Sequence, residues 1–380
     1  MNFGVLKEDR RLERRVALSP AGVQSLTAAG QHVFVEQHAG LLSMFSDGDY
    51  TAAGAVIVYS AEEVINRAQA LLKISPPTNG ELSLLGFGQV FFSAFHLVVS
   101  DRKITEGLLA KKTTAITYEL IEDNHGRLPV LQAMSEIGGQ LSIQAAAHFL
   151  QGEEGGRGIL LGGIPGIPPA SVVILGGGTV GRTAARFALG IGAAVTVLDN
   201  DLSRLREIEN HFHWKIATAL ATEVNVARAV QFADVVVGAV MLKGERTPHV
   251  VTEDMVKTMK KGSVIVDVAI DQGGCIETSR PTTIDDPVFI EHGVVHFCVP
   301  NMPAMVSRTA TVGLTNAILP YLQSIGENGI EQALRIDSGF AKGACTFSGY
   351  CTNRVVSKIF NLPYKDLQIH LASVLPSSQN

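Results

Sequence analysis

The sequence predicts an α/β protein built from two doubly wound domains, each a largely parallel sheet flanked by helices. Three observations lead there. The chain has 380 residues, more than one hydrophobic core usually organises. Two blocks alternate short β-branched or aromatic runs with helix-like segments, the pattern of a parallel sheet covered on its faces. At the head of the second block an apolar run leads into the glycine-rich turn Gly176-Gly177-Gly178-Thr179-Val180-Gly181 and then a helix-like stretch, the strand–turn–helix unit of such sheets.

In the first block, strands are expected at Phe3 to Leu6, His32 to Glu36, Val56 to Tyr59, Leu71 to Ser75, Val90 to Phe95 and Thr114 to Glu119. Helices are expected at Ser19 to Gly30, Asp47 to Gly54, Ala61 to Ala68 and Asp101 to Lys112. Ser19-Pro20 is a start signal, because Ser accepts bonds at the N-cap and Pro suits the first helical position. Gly30 and Gly54 are stop signals. Ser135 to Gln151 reads as a long helix, apolar around much of its girth, and residues 152–170 as a Gly/Pro-rich connection. In the second block, strands are expected at Ser171 to Leu175, Ala194 to Leu198, Lys215 to Ala219, Asp234 to Val240, Ser263 to Ile270 and His296 to Val299. Its helices are expected at Thr179 to Ile191, Asp201 to His211, Glu223 to Phe232 and Glu253 to Lys260. A further helix is expected at Ser307 to Gly326, followed by a mixed tail, and no internal repeat is evident.

Composition narrows the function. Apolar residues make up 46% and charged residues 18%, with a net charge of −5, so large cores are expected and disorder is not. Both signs are scattered, which argues against a nucleic-acid face or a polybasic membrane patch. The amino terminus does not read as a secretory signal, and no apolar run is long enough for a membrane span. Cys275, Cys298, Cys345 and Cys351 form neither a C-x-x-C pair nor a zinc spacing, so no metal is expected and a reducing cytoplasm fits.

The glycine turn is read together with its context. Ser171 to Leu175 precedes it as a buried strand, and Asp199 closes the next strand, the full dinucleotide fingerprint of a Rossmann domain. Gly176 permits the tight turn, Gly178 lets the backbone approach a pyrophosphate, and Gly181 lets helix and strand pack closely. Asp199 would accept from ribose hydroxyls and repel a 2′-phosphate, so NAD is expected rather than NADP. Arg204 reads either as an adenosine contact or as a solvated helix charge.

Ligands of such sheets bind at the carboxyl ends of strands. Asp271 is placed there, before Gln272-Gly273-Gly274, as a ligand contact or a turn residue. His96 follows an apolar strand and reads either as a general acid/base or as a hydrogen-bonded structural residue. Arg15 reads either as a bidentate carboxylate clamp or as a surface charge.

Taken together, these segments resemble the alanine dehydrogenase family, nearly end to end. The resemblance is carried by Arg14 to Val23, Phe95-His96-Leu97, Met134-Ser135-Glu136 and Gly155-Gly156-Arg157-Gly158. More specific still are Asp267 to Cys275, Ser279-Arg280-Pro281-Thr282 and Val299-Pro300-Asn301-Met302-Pro303. It implies reversible, NAD-dependent conversion of L-alanine to pyruvate and ammonium. His96 is then the acid/base, Asp271 its catalytic partner and Arg15 the carboxylate anchor. Thr179 and Val180 of the turn, Ser135, Val240, Met241, Val268, Ala269, Ile270, Asp271, Arg280, Val299, Pro300, Asn301 and Met302 surround the NAD. The resemblance also implies a discontinuous substrate domain, residues 1–134 and 305–380, a Rossmann domain at 135–304, and a homo-oligomer, commonly a hexamer.

One departure matters. The family's stretch Lys-Val-Lys-Glu-Pro reads here Lys73-Ile74-Ser75-Pro76-Pro77, so Ser75 stands at the substrate-binding, catalytic lysine. A hydroxyl supplies no cation to a carboxylate or a developing oxyanion, and losing one such contact costs on the order of a hundredfold in turnover. Lys73 lies on the same strand face but about 6–7 Å away. A smaller departure is Ala221, where the family often has serine. Three readings stay open: an active dehydrogenase of alanine or a related small amino acid, an NAD-binding relative with weak or lost catalysis, and a relative of the transhydrogenase NAD-binding subunit.

Overall fold

The computed structural model describes residues 1–8, 13–95, 101–240 and 247–373. The chain divides into two compact units, Met1–Met134 with Val306–Asn380, and Ser135–Met305.

The first unit holds β1 (Asn2–Val5), β2 (His32–Glu36), β3 (Val56–Val58), β4 (Ala70–Leu72), β5 (Val90–Ser93) and β6 (Thr114–Thr117). These six pair in parallel. The second unit holds β7 (Ser171–Leu175), β8 (Ala194–Asp199), β9 (Ala217–Leu220), β10 (Val235–Gly238), β11 (Val264–Asp267), β12 (Val288–Glu291) and β13 (Val294–Phe297). All its neighbours pair in parallel except β12 against β13. The tail returns to the first unit as β14 (Ala344–Phe347) and β15 (Tyr350–Cys351), both antiparallel additions.

The sheet orders are β15-β14-β6-β5-β4-β1-β2-β3 and β12-β13-β11-β10-β7-β8-β9. Within each unit the strands wind outward on one side, then cross back and wind outward on the other. The direction reverses between β1 and β4 in one unit and between β7 and β10 in the other, the position at which sheets of this kind take ligands. Central strands such as β4, β5, β10 and β11 are buried throughout, as strands covered on both faces must be.

In the first unit, Ser19 accepts from Gly22 N and Pro20 opens the helix Pro20–Ala28. The helix Ser307–Ile336 lays Leu314, Ile318 and Leu322 into the same core as Leu18, Val23 and Leu26. Its Thr311 and Thr315 hydroxyls accept from Val16 N (3.1 Å) and Ser19 N (2.9 Å), which fixes the backbone on both sides of that turn.

Several expected boundaries move. The helix expected from Ser135 begins at Pro129 (Pro129–Phe149), because a proline ring suits a first turn and Gln132 N already bonds Leu128 O at 2.8 Å. The helix expected to stop at Gly326 runs to Ile336, and the break in its dihedral angles falls at Gly329 (φ 73°). Gly326 serves packing instead, since a Cβ there would sit 2.9 Å from Gln31 Cδ. The strand expected through Ile270 stops at Asp267, whose side chain caps the 3-10 turn Val268–Gln272. The strand expected at Lys215 starts at Ala217, after His213 and Trp214 take left-handed backbone (φ 50° and 62°).

Candidate functional site

In the second unit, the glycine turn joins β7 to the helix Thr179–Ile191. Gly176 has φ 99°, and a Cβ there would meet Ala239 O at 2.5 Å, so the turn lies against the end of β10 beside Val240. At Gly181 a Cβ would fall 1.8 Å from Gly176 O. Gly178 is different: nothing lies within 4 Å of its Cβ position, and it caps the helix without a side-chain bond to the first N–H groups. An open cradle over helix N-terminal donors fits a pyrophosphate.

Asp199 closes β8 and is buried. Its Oδ2 accepts from Gly177 N (2.6 Å) and from Arg204 (3.1 Å), and its Oδ1 accepts from Asp201 N (2.9 Å). Arg204 is therefore tied to the Asp199 carboxylate. With three acceptor positions engaged, a carboxylate keeps about one for a ribose hydroxyl.

Ser135 lies one turn before Gly139 on the same helix face. At Gly139 a Cβ would meet Val180 O at 2.5 Å and Thr183 Cβ at 2.8 Å, so this helix packs directly on the start of the helix after the glycine turn. At the far side of the reversal, Asp267 organises the next loop. Its carboxylate accepts from Ala269 N (3.1 Å) and Cys275 N (3.0 Å), which folds Val268, Ala269, Ile270 and Asp271 into the 3-10 turn. Burial pushes the Asp267 carboxyl up, while hydrogen bonds from Ser279, Cys275 and Ala269 hold it down. Asp271 is exposed, and its Oδ1 accepts from Asn301 N at 3.0 Å, joining that turn to Val299-Pro300-Asn301-Met302 after β13. Arg280 stacks on Phe289 of β12, 4.0 Å from the ring centroid, and Thr282 N bonds Cys298 O at the end of β13. The unit thus gathers Gly176, Gly178, Gly181, Thr179, Val180, Asp199, Arg204, Ser135 and Val240 around the reversal of its sheet. Asp271 and Val299–Met302 follow on the next strand ends. Met241 lies outside the described residues, as does His96 in the first unit.

The first unit assembles a charged cluster where its own sheet reverses. Arg15 is buried, not a surface charge: Nε and one terminal nitrogen each donate at 2.7 Å to the two oxygens of Glu13, and the other terminal nitrogen meets Met134 Sδ at 3.3 Å. Glu13 thereby holds the guanidinium in one plane. Just beyond β1, Glu8 accepts from Ile74 N at 2.5 Å and from Ser75 N at 3.3 Å. Ser75 is buried as well. Lys73, 1% exposed, donates to both oxygens of Glu81 at 2.6 Å. The lysine nearest to Ser75 along the chain is therefore committed to another carboxylate. The strand expected through Ser75 itself stops at Leu72. Burial pushes the Glu8 carboxyl up to about 7, against the opposing pull of Lys73, Ile74 N and the Ser75 hydroxyl. Sequence reasoning assigned no role to Glu8, Glu13, Glu81 or Asp267. The signal for Glu8 was its place at the carboxyl end of the first strand, and for Glu13 its i, i+2 spacing from Arg15.

Among the described residues, no group of three or more His, Cys, Asp or Glu side chains could hold a metal, and no helix is long and apolar enough to cross a membrane.

Comparisons with known proteins cover nearly the whole chain. Residues 4–138 match the family described as alanine dehydrogenase/PNT, N-terminal domain, and residues 142–354 match its C-terminal domain. The chain is similar to an alanine dehydrogenase of Methanococcus maripaludis, 46% identical, across 96% of this chain and 98% of the relative. A solved L-alanine dehydrogenase superposes with a TM-score of 0.91 at 42% identity, covering 95% of this chain and 99% of that one. A transhydrogenase from Sinorhizobium meliloti, 23% identical with a TM-score of 0.80 over 93% of this chain and 99% of its own, shares the fold.

Proposed function

Because this chain belongs to the alanine dehydrogenase/PNT family, we propose that it catalyses the reversible, NAD-dependent oxidative deamination of L-alanine to pyruvate and ammonium. The observation that carries this reading is a likeness to alanine dehydrogenases that runs through both units, not the glycine turn alone. The open cradle at Gly178 supports the cofactor assignment. NAD, when bound, accepts the hydride from the amino acid's α-carbon.

The chain's residues divide the remaining work. The N–H groups at the head of the helix Thr179–Ile191 hold the pyrophosphate, and Asp199 with Arg204 meets the adenosine side. Ser135, Val240, Met241, Val268 to Asp271, Arg280 and Val299 to Met302 line the rest of the cofactor. Arg15, fixed by Glu13, takes the substrate carboxylate with two parallel hydrogen bonds. His96 exchanges protons with the attacking water and with the departing amine, and Asp271 supports it. Ser75 offers a hydroxyl but no charge.

A second reading, weak or lost catalysis, is favoured by one observation: Lys73 is held by Glu81 and does not replace a cation at position 75. A cytoplasmic setting and a homo-oligomer, a hexamer by family resemblance, belong to the first reading. The four cysteines are free and buried, which suits a reducing compartment.

The test is NADH formation from NAD with L-alanine, D-alanine and a panel of small L-amino acids. L-Alanine is expected to give the highest kcat/KM. His96→Ala should lower kcat by about a hundredfold or more while the NADH dissociation constant changes little. NADH binding with no turnover of any amino acid would leave only the second reading.

A further inference from the structure

In the second unit, Phe289 of β12 and His296 of β13 stand opposite each other in an antiparallel pair, so their side chains share a face. Their rings stack, with centroids 4.8 Å apart and planes 18° from parallel. His296 is fully buried and is fixed at both ring nitrogens. Nδ1 lies 2.9 Å from Val294 O and donates to it, because a carbonyl only accepts. Nε2 lies 2.8 Å from the Thr278 hydroxyl and, in the neutral ring, accepts from it. Burial pushes the imidazole down from its ordinary range, so the ring is uncharged at neutral pH. Phe289 therefore rests on a ring that is held in one orientation. Arg280 lies on Phe289 in turn, its guanidinium carbon 4.0 Å from the ring centroid.

The backbone on both sides of Arg280 is pinned to the same corner. Thr278 bonds His296 before it, and after it Thr282 N donates to Cys298 O (3.0 Å) and the Thr282 hydroxyl to Pro287 O (3.0 Å). Cys298 directly follows β13, so the loop sits at the carboxyl end of that strand, the side on which such sheets take ligands. Arg280 itself is exposed. Stacking engages the flat face of a guanidinium, whereas its N–H groups all lie in the plane. An arginine tied by a carboxylate, as Arg204 is by Asp199, commits donors to that partner. An arginine held by a ring keeps its donors for a ligand.

We propose that Phe289, braced by His296, is a positioning residue for the cofactor: it holds the Arg280 guanidinium face-on, so that the in-plane N–H groups are presented to NAD. This deepens the reading of Arg280 as a cofactor contact and rests on it. Phe289 acts through Arg280, so removing the ring matters only while the arginine is there to be held.

The experiment measures NADH dissociation constants by fluorescence titration for the natural chain, Arg280→Leu, Phe289→Leu, the double variant and Phe289→Tyr. Arg280→Leu should weaken binding by about tenfold or more, through loss of a charged contact. Phe289→Leu should weaken it by about three- to tenfold, the range of one cation–ring contact. The double variant should bind no more weakly than Arg280→Leu alone, because the second change then removes nothing further. Phe289→Tyr keeps a ring and should bind as the natural chain does. Thermal unfolding checks that each variant folds. If Phe289→Leu does not, Phe289→Met takes its place, since it fills the edge strand with a flexible apolar chain and still lacks a ring. Natural affinity in the ringless variant, or losses that add in the double variant, would overturn the inference and leave the NAD site standing. Natural affinity in Arg280→Leu would remove Arg280 from the cofactor site and the inference with it. No NADH binding by the natural chain would overturn the cofactor reading as well.

Discussion

Gly181→Ala is expected to weaken NADH binding by at least about a hundredfold and to lower the thermal midpoint of the second unit. The added methyl carbon would lie 1.8 Å from Gly176 O, a backbone atom, with Gly176 C at 3.0 Å and Ile174 Cγ2 at 3.2 Å behind it. No side chain can swing away to make room. The helix Thr179–Ile191 would have to retreat by more than 1 Å, roughly the shortfall from an ordinary carbon–oxygen contact. Its other side is closed, because Gly139 already packs on Val180 O and Thr183. Overpacking of this kind typically costs about 1–3 kcal/mol, and more where backbone meets backbone. Gly178→Ala is the informative control. Its Cβ would point into open space, so the fold should keep its midpoint while NADH binding falls. NADH fluorescence titration and thermal unfolding of both variants separate a broken turn from a filled cradle. Equal NADH affinity in Gly181→Ala and the natural chain would contradict the assignment of this turn.

The second large effect is on stability. Lys73→Met should destabilise the first unit by about 3–5 kcal/mol, the usual result of removing one partner of a buried ion pair. Glu81 would keep its bond from Thr78 N at 2.7 Å and lose both bonds to the ammonium. Glu8 would also lose the positive neighbour that opposes its desolvation. Adding Glu81→Gln to Lys73→Met should restore most of the loss, because no uncompensated charge is then buried. Denaturant unfolding followed in the first unit gives the coupling as a double-mutant cycle. A Lys73→Met cost below about 1 kcal/mol would mean that the pair behaves like a surface salt bridge.

Much of the architecture was legible because its signals are local. The apolar runs of β4, β5, β7, β10 and β11 are those of strands buried on both faces, and the glycine turn with Asp199 announces its own geometry. The edges were less legible. β12 is half exposed and mixes Val288 and Ile290 with Glu291, so no clean alternation marks it. β14 and β15 join through Ser348-Gly349, both with positive φ, a two-residue hairpin turn whose strands, four and two residues long, are too short to show an alternation. Side-chain partnerships were harder. Lys73 and Glu81 meet across a turn, and Glu8 reaches Ile74 only because β1 and β4 are sheet neighbours. Such contacts follow from strand order, which spacing along the chain does not encode. Arg15 with Glu13 is the exception: they are two positions apart in the sequence and bond each other directly.

The central claim is that an NAD site serves amino-acid chemistry although serine stands at position 75. The most direct test incubates the natural chain with pyruvate, [15N]ammonium and NADH and identifies the product. The account predicts L-alanine carrying one 15N for each NADH consumed. Lactate in place of alanine, or bound NADH that is never oxidised, would contradict it.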